Sequence, residues 1–357
     1  MTPAPSSEPS PGRVVRTLND GFWDLTEVIE VADGSLRVRK RCKGISAERP
    51  WGLESLRREI HYLRTLPPRA AANVPGLLAG WDRMVDGRPD VGYEMPFYAD
   101  HRDAGTLARA GKLEQPEIDA FQRELADAVL TRLHEPAGEH ESLSAHMTGA
   151  VRQAFDGLVG DPAYAALIEA DRIELNGRPA RGPRAAFEAN VRNTNILAVI
   201  DGTPAVRLHG DLHLENILWR PLPVAGREPR LILIDLVSVA GVVWGLPLWD
   251  LVKYESYATG ELMALRAELL DVAGLGEGSG KYRCRIRGED PALAPFLKSD
   301  WHSIFRAEFI QRHGPIDRRA YRFIHGYFNA AMALNTSGRQ RQGRLLRATE
   351  DFNAVLG

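Results

Sequence analysis

The chain has 357 residues, of which 44% are hydrophobic and 26% charged, and its formal net charge is −2. This length suits two domains or lobes, and the composition is typical of globular proteins. The small net charge creates no overall field that would attract nucleic acid or an anionic membrane, so we expect neither as a partner. Composition leaves open whether the protein is a monomer or a homodimer.

The two cysteines, Cys42 and Cys284, are too far apart in sequence for a zinc ribbon, and two alone build no disulfide framework. The first residues, MTPAPSSEPSPG, lack the apolar segment of a signal peptide, so we expect residues 1–12 to be a disordered tail. No run approaches the roughly 18 apolar residues of a membrane span. These features predict a cytoplasmic protein.

Residues 13–98 read as a sheet with one helix. VVRTL, DLTEVIEV and SLRVRKRC predict three strands, the last two joined by the turn ADG. LESLRREIHYLRTL repeats its apolar residues every three or four positions, which predicts a helix that stops before Pro67. Two further β-like pieces lie around LLAGWDRM and VGYEMPFY. We therefore expect an antiparallel sheet here.

Residues 99–357 read as mainly helical, with late helices expected at roughly 248–272, 300–313, 317–335 and 339–355. Residues 171–204 look rich in loops, and GLGEGSGKYRCRIRGEDP predicts a mobile loop. Two short segments interrupt the helical pattern: RLHGDLHLENILWR and RLILIDLVSV.

The first of these segments admits three interpretations: a polar turn of caps and turn residues, a metal site, or a phosphoryl-transfer loop. His209, Asp211 and His213 alternate, so on a strand they would share one side, as zinc ligands can. A zinc hydrolase needs more ligands, however, and no further histidine follows before Tyr257. The zinc interpretation is therefore disfavoured.

Phosphoryl transfer fits the spacing better. It needs a carboxylate at the acceptor hydroxyl, an amide oxygen and a second carboxylate on Mg²⁺, and a lysine on the phosphates. Asp211 and Asn216 are five residues apart with His209 just before them, which is the protein-kinase spacing. Asp235 ends the apolar run LILI, where a carboxylate is costly unless a cation meets it.

The lysine is expected on the third strand. Lys40 shares a strand face with Leu36 and Val38, and Glu59 lies on the following helix in a position to pair with it. Lys43 competes for this role but lies beyond the strand.

HGDLHLEN followed by LIDLVSV resembles the aminoglycoside phosphotransferase and choline kinase superfamily, the small-molecule relatives of protein kinases. LTRLHE and GLPLWDL are similar to further segments of that family, so the resemblance spans about residues 14 to 260. It implies a bilobal, protein-kinase-like α+β fold with an antiparallel N-lobe at 13–98 and a mainly helical C-lobe at 99–357. The nucleotide would bind between the lobes.

The resemblance also implies roles for individual residues. Asp211 would be the catalytic carboxylate, while Asn216 and Asp235 would hold Mg²⁺. Lys40, steadied by Glu59, would hold the α- and β-phosphates of ATP or GTP.

Around the base, Met95 would line the purine pocket, and backbone groups near Phe97 and Tyr98 would pair with the base edge. The predicted supports of the catalytic loop are His209, His213 and Asp250; a structural role for His213 is the simpler reading.

Two departures from the family pattern are visible. LNDGFWDL offers only Gly21 where kinases carry a glycine-rich phosphate loop. The segment Asp235-Leu236-Val237 lacks the glycine of the protein-kinase D-F-G sequence, which suggests that it does not switch.

The expected reaction transfers the γ-phosphate of ATP or GTP to a hydroxyl of a small molecule, such as an antibiotic, a sugar or a natural-product metabolite. One alternative is a Ser/Thr kinase that acts on a peptide during natural-product maturation. Another is a nucleotide-binding pseudokinase that serves as a partner subunit.

Two late groups of residues allow either a binding or a structural role. The arginines of the last helix are expected on its solvent-facing side, and four late aromatic residues are expected in the core rather than at a substrate wall. The two sets are Arg339, Arg341, Arg344 and Arg347, and Trp301, Phe305, Tyr321 and Tyr327.

Overall fold

The computed structural model describes residues 6–20, 24–43, 50–136, 142–193, 195–221, 229–237 and 242–357. The chain forms two compact units. The first comprises the residues up to Thr106 together with Asp127–Leu133 and Leu208–Val243, and the second comprises Leu107–Ala126, His134–Arg207 and Trp244–Gly357. The segment predicted to be the catalytic loop thus groups with the N-terminal residues, and the lobe boundary at residue 98 stays a prediction.

A five-stranded antiparallel sheet dominates the first unit, in the order β1-β2-β3-β5-β4. The edge strand β1 is exposed along its whole length, and its pairing with β2 shifts twice. The strands are β1 (Gly12–Asp20), β2 (Asp24–Val31), β3 (Leu36–Cys42), β4 (Ala79–Val85) and β5 (Arg88–Pro96).

Helix α1 (Pro50–Arg64) packs on one face of this sheet. Its apolar residues recur every three or four positions and meet the inward-facing residues of β3 and β5, which alternate as strand geometry requires. Burying one such aliphatic side chain stabilises the fold by about 1.5–3 kcal/mol. The shared core consists of Val38, Leu53, Leu56, Ile60, Val91, Tyr93 and Met95.

Residues 6–10 depart from the expectation of a disordered tail. Ser6 exchanges backbone hydrogen bonds with Leu78 and Gly80 beside β4. Ser10 donates its N–H to the Glu94 carboxylate at 3.0 Å and accepts a hydrogen bond from Arg39. Glu94 is fully buried on β5, so its charge requires such donors, and these contacts order the segment.

The rest of the first unit carries the predicted catalytic segments. These segments adjoin a small sheet in the order β11-β10-β6. Residues Asp127–Leu133 form a π-helix. Its strands are β6 (Arg102–Asp103), β10 (Ile217–Trp219) and β11 (Leu231–Leu233).

The second unit is mainly helical, with a core of phenylalanine rings in which Phe187 lies 5.2 Å from Phe352 and 5.9 Å from Phe323. Helix α2 (Ala104–Ala110) contains the point at which the chain passes from the first unit to the second. The other helices are α3 (Gln115–Ala126), α4 (Leu143–Leu158), α5 (Pro162–Ile168), α6 (Pro183–Asn193), α7 (Ile196–Gly202), α8 (Leu248–Ala258), α9 (Glu261–Arg266), α10 (Ala294–Lys298), α11 (Ser303–His313), α12 (Arg318–Leu334) and α13 (Gly338–Leu356).

Three predictions of secondary structure are wrong around a four-stranded sheet in the second unit. The helix expected at 248–272 ends at Ala258, the loop-rich residues 171–204 contain a hairpin and two helices, and the glycine-rich loop contains a strand. That last strand alternates buried and exposed residues, a period of two that the surrounding glycines obscured. The sheet order is β13-β14-β7-β8, with β7 (Ile173–Leu175), β8 (Arg178–Ala180), β13 (Leu270–Ala273) and β14 (Lys281–Ile286).

A last strand pair joins β9 (Val206–Arg207) to β12 (Trp244–Gly245) in the second unit. Within the residues described, no helix is long and apolar enough to cross a membrane.

The predicted burial of the late aromatic residues agrees with the structure, whereas the predicted exposure of the arginines of α13 agrees only in part. Trp301, Phe305 and Tyr327 are buried, as expected of core residues. The expected solvent-facing row of arginines is wrong in part, because Arg344 is only 5% exposed and donates to Asn329 on α12.

Candidate active site

The segment from Leu208 to Asn216 forms a buried loop in the first unit. The N–H of Val237 donates to the His209 carbonyl at 2.7 Å, which ties the loop to the segment after β11. Gly210 has φ 85°, and an added Cβ would lie 3.0 Å from the Val237 Cα. Only glycine combines this conformation with such a close approach without strain.

Asp211 is held from two sides. The amide of Asn216 donates to the Asp211 carbonyl at 3.0 Å and to its carboxylate Oδ2 at 3.3 Å. His213 Nε2 lies 3.6 Å from the same Oδ2. All three side chains are buried, so the carboxylate has a defined orientation, as a base that must face an acceptor hydroxyl requires.

His209 lies inside the loop, with its ring fully buried. Its Nδ1 accepts a hydrogen bond from the Asp211 N–H at 3.3 Å. The ring therefore contacts the backbone at Asp211, and the role of His209 as a support of the loop stays a prediction.

Asp235 follows β11 in a strained turn. Its φ is 54° and that of Val237 is 57°, although neither residue is glycine. Such a backbone is uncommon for non-glycine residues and persists where the surroundings enforce it. Here Leu236 and Val237 are buried, while the Ile234 N–H donates to the Asn216 carbonyl at 3.0 Å. The turn thereby brings Asp235 beside the loop that carries Asn216.

Lys40 joins this turn to the large sheet. Its Nζ donates to both oxygens of Glu59, at 2.9 and 3.2 Å, and to Oδ1 of Asp235 at 3.0 Å. The hydroxyl of Tyr93 also donates to Glu59, at 2.9 Å. Burial opposes the charge on Lys40, but Asp235 and Glu59 outweigh that effect and raise its pKa well above the ordinary value. The lysine therefore stays protonated at neutral pH.

The end of β5, which is predicted to contact the purine base of the nucleotide, carries apolar side chains. Met95 is buried beside Val38 of β3, and Phe97 and Tyr98 are half-buried immediately after β5. A cavity in the same unit is lined by Glu59, Leu63, Pro75, Tyr93, Met95, Ile234, Asp235 and Leu236.

The oxygen donors near Asp235 suit a magnesium ion. Because the Asn216 N–H₂ group donates to Asp211, its Oδ1 is the side-chain atom that would serve as a metal ligand. The Asp235 side chain is 37% exposed, so its carboxylate is accessible from solvent. Carboxylate and amide oxygens are the hard ligands that Mg²⁺ prefers, and the ion typically binds through one or two of them plus substrate phosphates.

Sequence comparison identifies the family. The profile of the phosphotransferase enzyme family matches residues 15–285, most of the chain. The chain belongs to this family. The predicted resemblance is thereby confirmed. A comparison with curated protein sequences gives no match.

The fold of this phosphotransferase is similar to those of solved kinases. A microcompartment-associated aminopropanol kinase matches with a TM-score of 0.50 and 13% identity over 96% of this chain and 90% of that chain. A putative fructosamine-3-kinase from Thermobifida fusca matches with 0.47 and 13% over 96% and 94%, and a choline kinase from Cryptosporidium parvum with 0.44 and 12% over 97% and 88%. The first likeness confirms the kinase-like α+β fold.

Asp250 of the phosphotransferase lies in the second unit, on α8, and is fully buried. Its Oδ2 is 3.1 Å from His134 Nε2, and His134 Nδ1 is 3.1 Å from His313 Nε2. Burial lowers the pKa of His313 to about 4, so this histidine is neutral at physiological pH. The role of Asp250 as an anchor of the catalytic loop stays a prediction.

Sequence reasoning missed three residues of the candidate site. Asp24 lies 3.7 Å from Lys40 Nζ, Tyr93 binds Glu59, and the Tyr62 hydroxyl donates to the Leu208 carbonyl at 2.9 Å. Alternation along β5 could have placed Tyr93 on the face of Met95. Gly21, the one glycine of the expected phosphate loop, lies outside the described residues.

Proposed function

We propose that this phosphotransferase is a small-molecule kinase that transfers the γ-phosphate of ATP or GTP to a hydroxyl group. One observation carries the proposal: a single compact unit holds a buried lysine paired with Asp235 and Glu59, together with an oriented Asp211–Asn216 pair. These are the charges that phosphoryl transfer requires.

Each residue has a part in the proposed reaction. Asp211 orients the acceptor hydroxyl and takes its proton as the oxygen forms a bond to the γ-phosphorus. The bond from that phosphorus to the bridging oxygen breaks, and the nucleoside diphosphate leaves. Lys40 binds the α- and β-phosphates in place of part of its contact with Asp235. Asn216 and Asp235 would hold Mg²⁺, and the bound ion would neutralise charge on the phosphates.

The acceptor is proposed to be an antibiotic, a sugar or another hydroxylated natural product. The family and the fold support a kinase for small molecules, and the proposal places it in the cytoplasm, where nucleoside triphosphates are available.

A screen for nucleotide consumption tests the proposal. The full chain is incubated with ATP or GTP, in separate runs with Mg²⁺, against sugars, aminoglycosides, nucleoside antibiotics and peptides that contain Ser or Thr. Product mass then identifies the phosphorylated hydroxyl.

Variants link turnover to the site. Asp211→Asn and Asp235→Asn are each expected to lower turnover by at least about 10²-fold. Asp82→Asn is the control, because Asp82 pairs with Arg57 on the exposed part of the same unit. Unchanged transfer in both active-site variants would refute the assignment, and nucleotide binding without turnover of any acceptor would favour the pseudokinase.

A further inference from the structure

Three carboxylates surround the Lys40 ammonium. Glu59 is the partner predicted from the sequence, Asp235 is the predicted magnesium ligand, and the third carboxylate belongs to Asp24, whose Oδ2 lies 3.7 Å away. Asp24 is the first described residue after positions 21–23 and begins β2. In the pairing of β2 with β3, Thr26 is opposite Lys40 and Asp24 is opposite Cys42. Because side chains alternate along a strand, Asp24 shares the sheet face of Lys40.

The three carboxylates differ in their access to solvent. The side chains of Lys40 and Glu59 are 6% and 3% exposed, whereas those of Asp24 and Asp235 are 21% and 37% exposed. Glu59 is also fixed by the Tyr93 hydroxyl. Asp24 and Asp235 are therefore the carboxylates of this group that are accessible from solvent, whereas Glu59 is not.

One ammonium faces three carboxyl groups at this point, and two ionised carboxylates already make the local charge negative. Burial raises the pKa of Asp24 above its ordinary value although Lys40 opposes the shift, and burial also raises the pKa of Glu59 to about 7. A polyphosphate adds negative charge at the same place, and at a separation of a few ångströms like charges repel strongly where water is partly excluded.

We infer that Asp24 is a specificity-determining residue that reserves Lys40 for nucleotide complexed with a divalent cation. The inference rests on the proposed function. Metal-free nucleotide meets the uncompensated charge of Asp24 and Asp235, and binds poorly. Nucleotide that carries Mg²⁺ brings positive charge with it, which offsets this repulsion, so that the phosphates can replace Asp24 at the ammonium.

Calorimetric titration of the full chain tests this inference with ATP in excess Mg²⁺ and with ATP in EDTA. Asp24→Asn keeps the shape of the side chain and removes its charge. It is expected to tighten the binding of metal-free ATP on the order of tenfold, and the binding of ATP with Mg²⁺ much less. The ratio of the two dissociation constants therefore falls toward one.

Two further variants serve as controls. Asp33→Asn removes an exposed carboxylate in the turn between β2 and β3, where it accepts the Ser35 N–H at 2.8 Å, and should leave the ratio unchanged. Asp24→Glu keeps the negative charge and should keep the wild-type ratio of dissociation constants. This variant separates the effect of charge from a general disturbance of β2. Thermal unfolding of each variant verifies that it is folded.

The outcomes are distinguishable. If the wild type binds neither ATP nor, in the same titration, GTP with Mg²⁺, the proposed function fails and the inference fails with it. If the wild type binds but Asp24→Asn leaves the ratio unchanged, the inference alone is overturned. A variant that mainly loses affinity for ATP with Mg²⁺ also overturns it, because Asp24 would then assist the metal rather than exclude free nucleotide.

Discussion

Asn216 donates its side-chain amide to both the carbonyl and the carboxylate of Asp211, at 3.0 and 3.3 Å. One residue thus fixes the direction of the proposed base with its N–H₂ group, while its own oxygen is the proposed metal ligand. The five-residue spacing has a physical reason, because the turn Leu214–Asn216 returns the chain to Asp211.

Asn216→Asp tests this double role. Aspartate keeps an oxygen for the metal but cannot donate to Asp211, and it adds a negative charge beside that carboxylate. We expect kcat to fall by about 10²-fold. Asn73→Asp is a matched control, since Asn73 is a buried amide that donates to the Leu231 carbonyl at 2.9 Å. Equal losses of kcat in the two variants, measured by steady-state kinetics, would argue for a purely structural effect.

The two candidate lysines can be separated by Lys40→Met and Lys43→Met. Lys40→Met leaves Glu59 and Asp235 without their buried cation, so we expect a loss of about 3 kcal/mol in the free energy of unfolding. It should also weaken nucleotide binding by about tenfold or more.

Lys43→Met should change both quantities little, because Lys43 is part-exposed and pairs with the exposed Asp20. Urea denaturation and nucleotide titration measure the two effects. Equal losses in both variants would contradict the assignment of Lys40.

Gly210→Ala should destabilise the protein by about 2–3 kcal/mol, because the added Cβ is strained and meets backbone atoms of Val237 and Val242. Gly34→Ala is the control. Gly34 has a similar φ of 78°, but its Cβ would have no neighbour within 4 Å, so only the conformational cost of about 1 kcal/mol applies. Equal shifts of the denaturation midpoint would show that the close approach costs nothing.

A buried histidine predicts how stability depends on pH. His325 of α12 lies 3.1 Å from Glu261 of α9 and 2.5 Å from Asp351 of α13. Burial opposes its charge, but these carboxylates outweigh it and raise its pKa from 6.5 to about 10. Arg347 and Arg322 pair with the same carboxylates.

The raised pKa of His325 sets the direction in which stability changes with pH. Since the folded protein binds the proton more tightly, the stabilisation is complete below pH 6.5 and is lost as the pH rises through about 10. The free energy of unfolding should fall by at most about 1.4 kcal/mol per pH unit across this window. His325→Gln should flatten that slope, whereas the exposed His61→Gln should not. An unchanged slope in urea denaturation of His325→Gln would refute the prediction.

Much of the site was predictable from local patterns. The spacing of Asp211 and Asn216, the apolar run before Asp235 and the alternation along β3 each involve residues close in sequence, where backbone geometry dictates what can meet. The expected pairing of Lys40 with Glu59 is likewise found in the structure, because a strand and the next helix commonly pack together.

Other features depend on partners distant in sequence. The ordered residues 6–10 depend on Glu94, which a tail rich in proline and serine does not reveal. Arg344 looked solvent-exposed from its helical spacing, and only the packing of α13 against α12 decides that it is buried.

By itself, the sequence determined the family, the antiparallel N-terminal sheet and the residues that carry the proposed chemistry, because these follow from strand and helix periods and short spacings. Only the tertiary structure decided that Asp24 lies against Lys40, that His325 lies between two carboxylates from other helices, and that β14 pairs with β7 across more than a hundred residues. Such contacts arise when distant segments pack, and neither partner carries a local pattern that identifies the other.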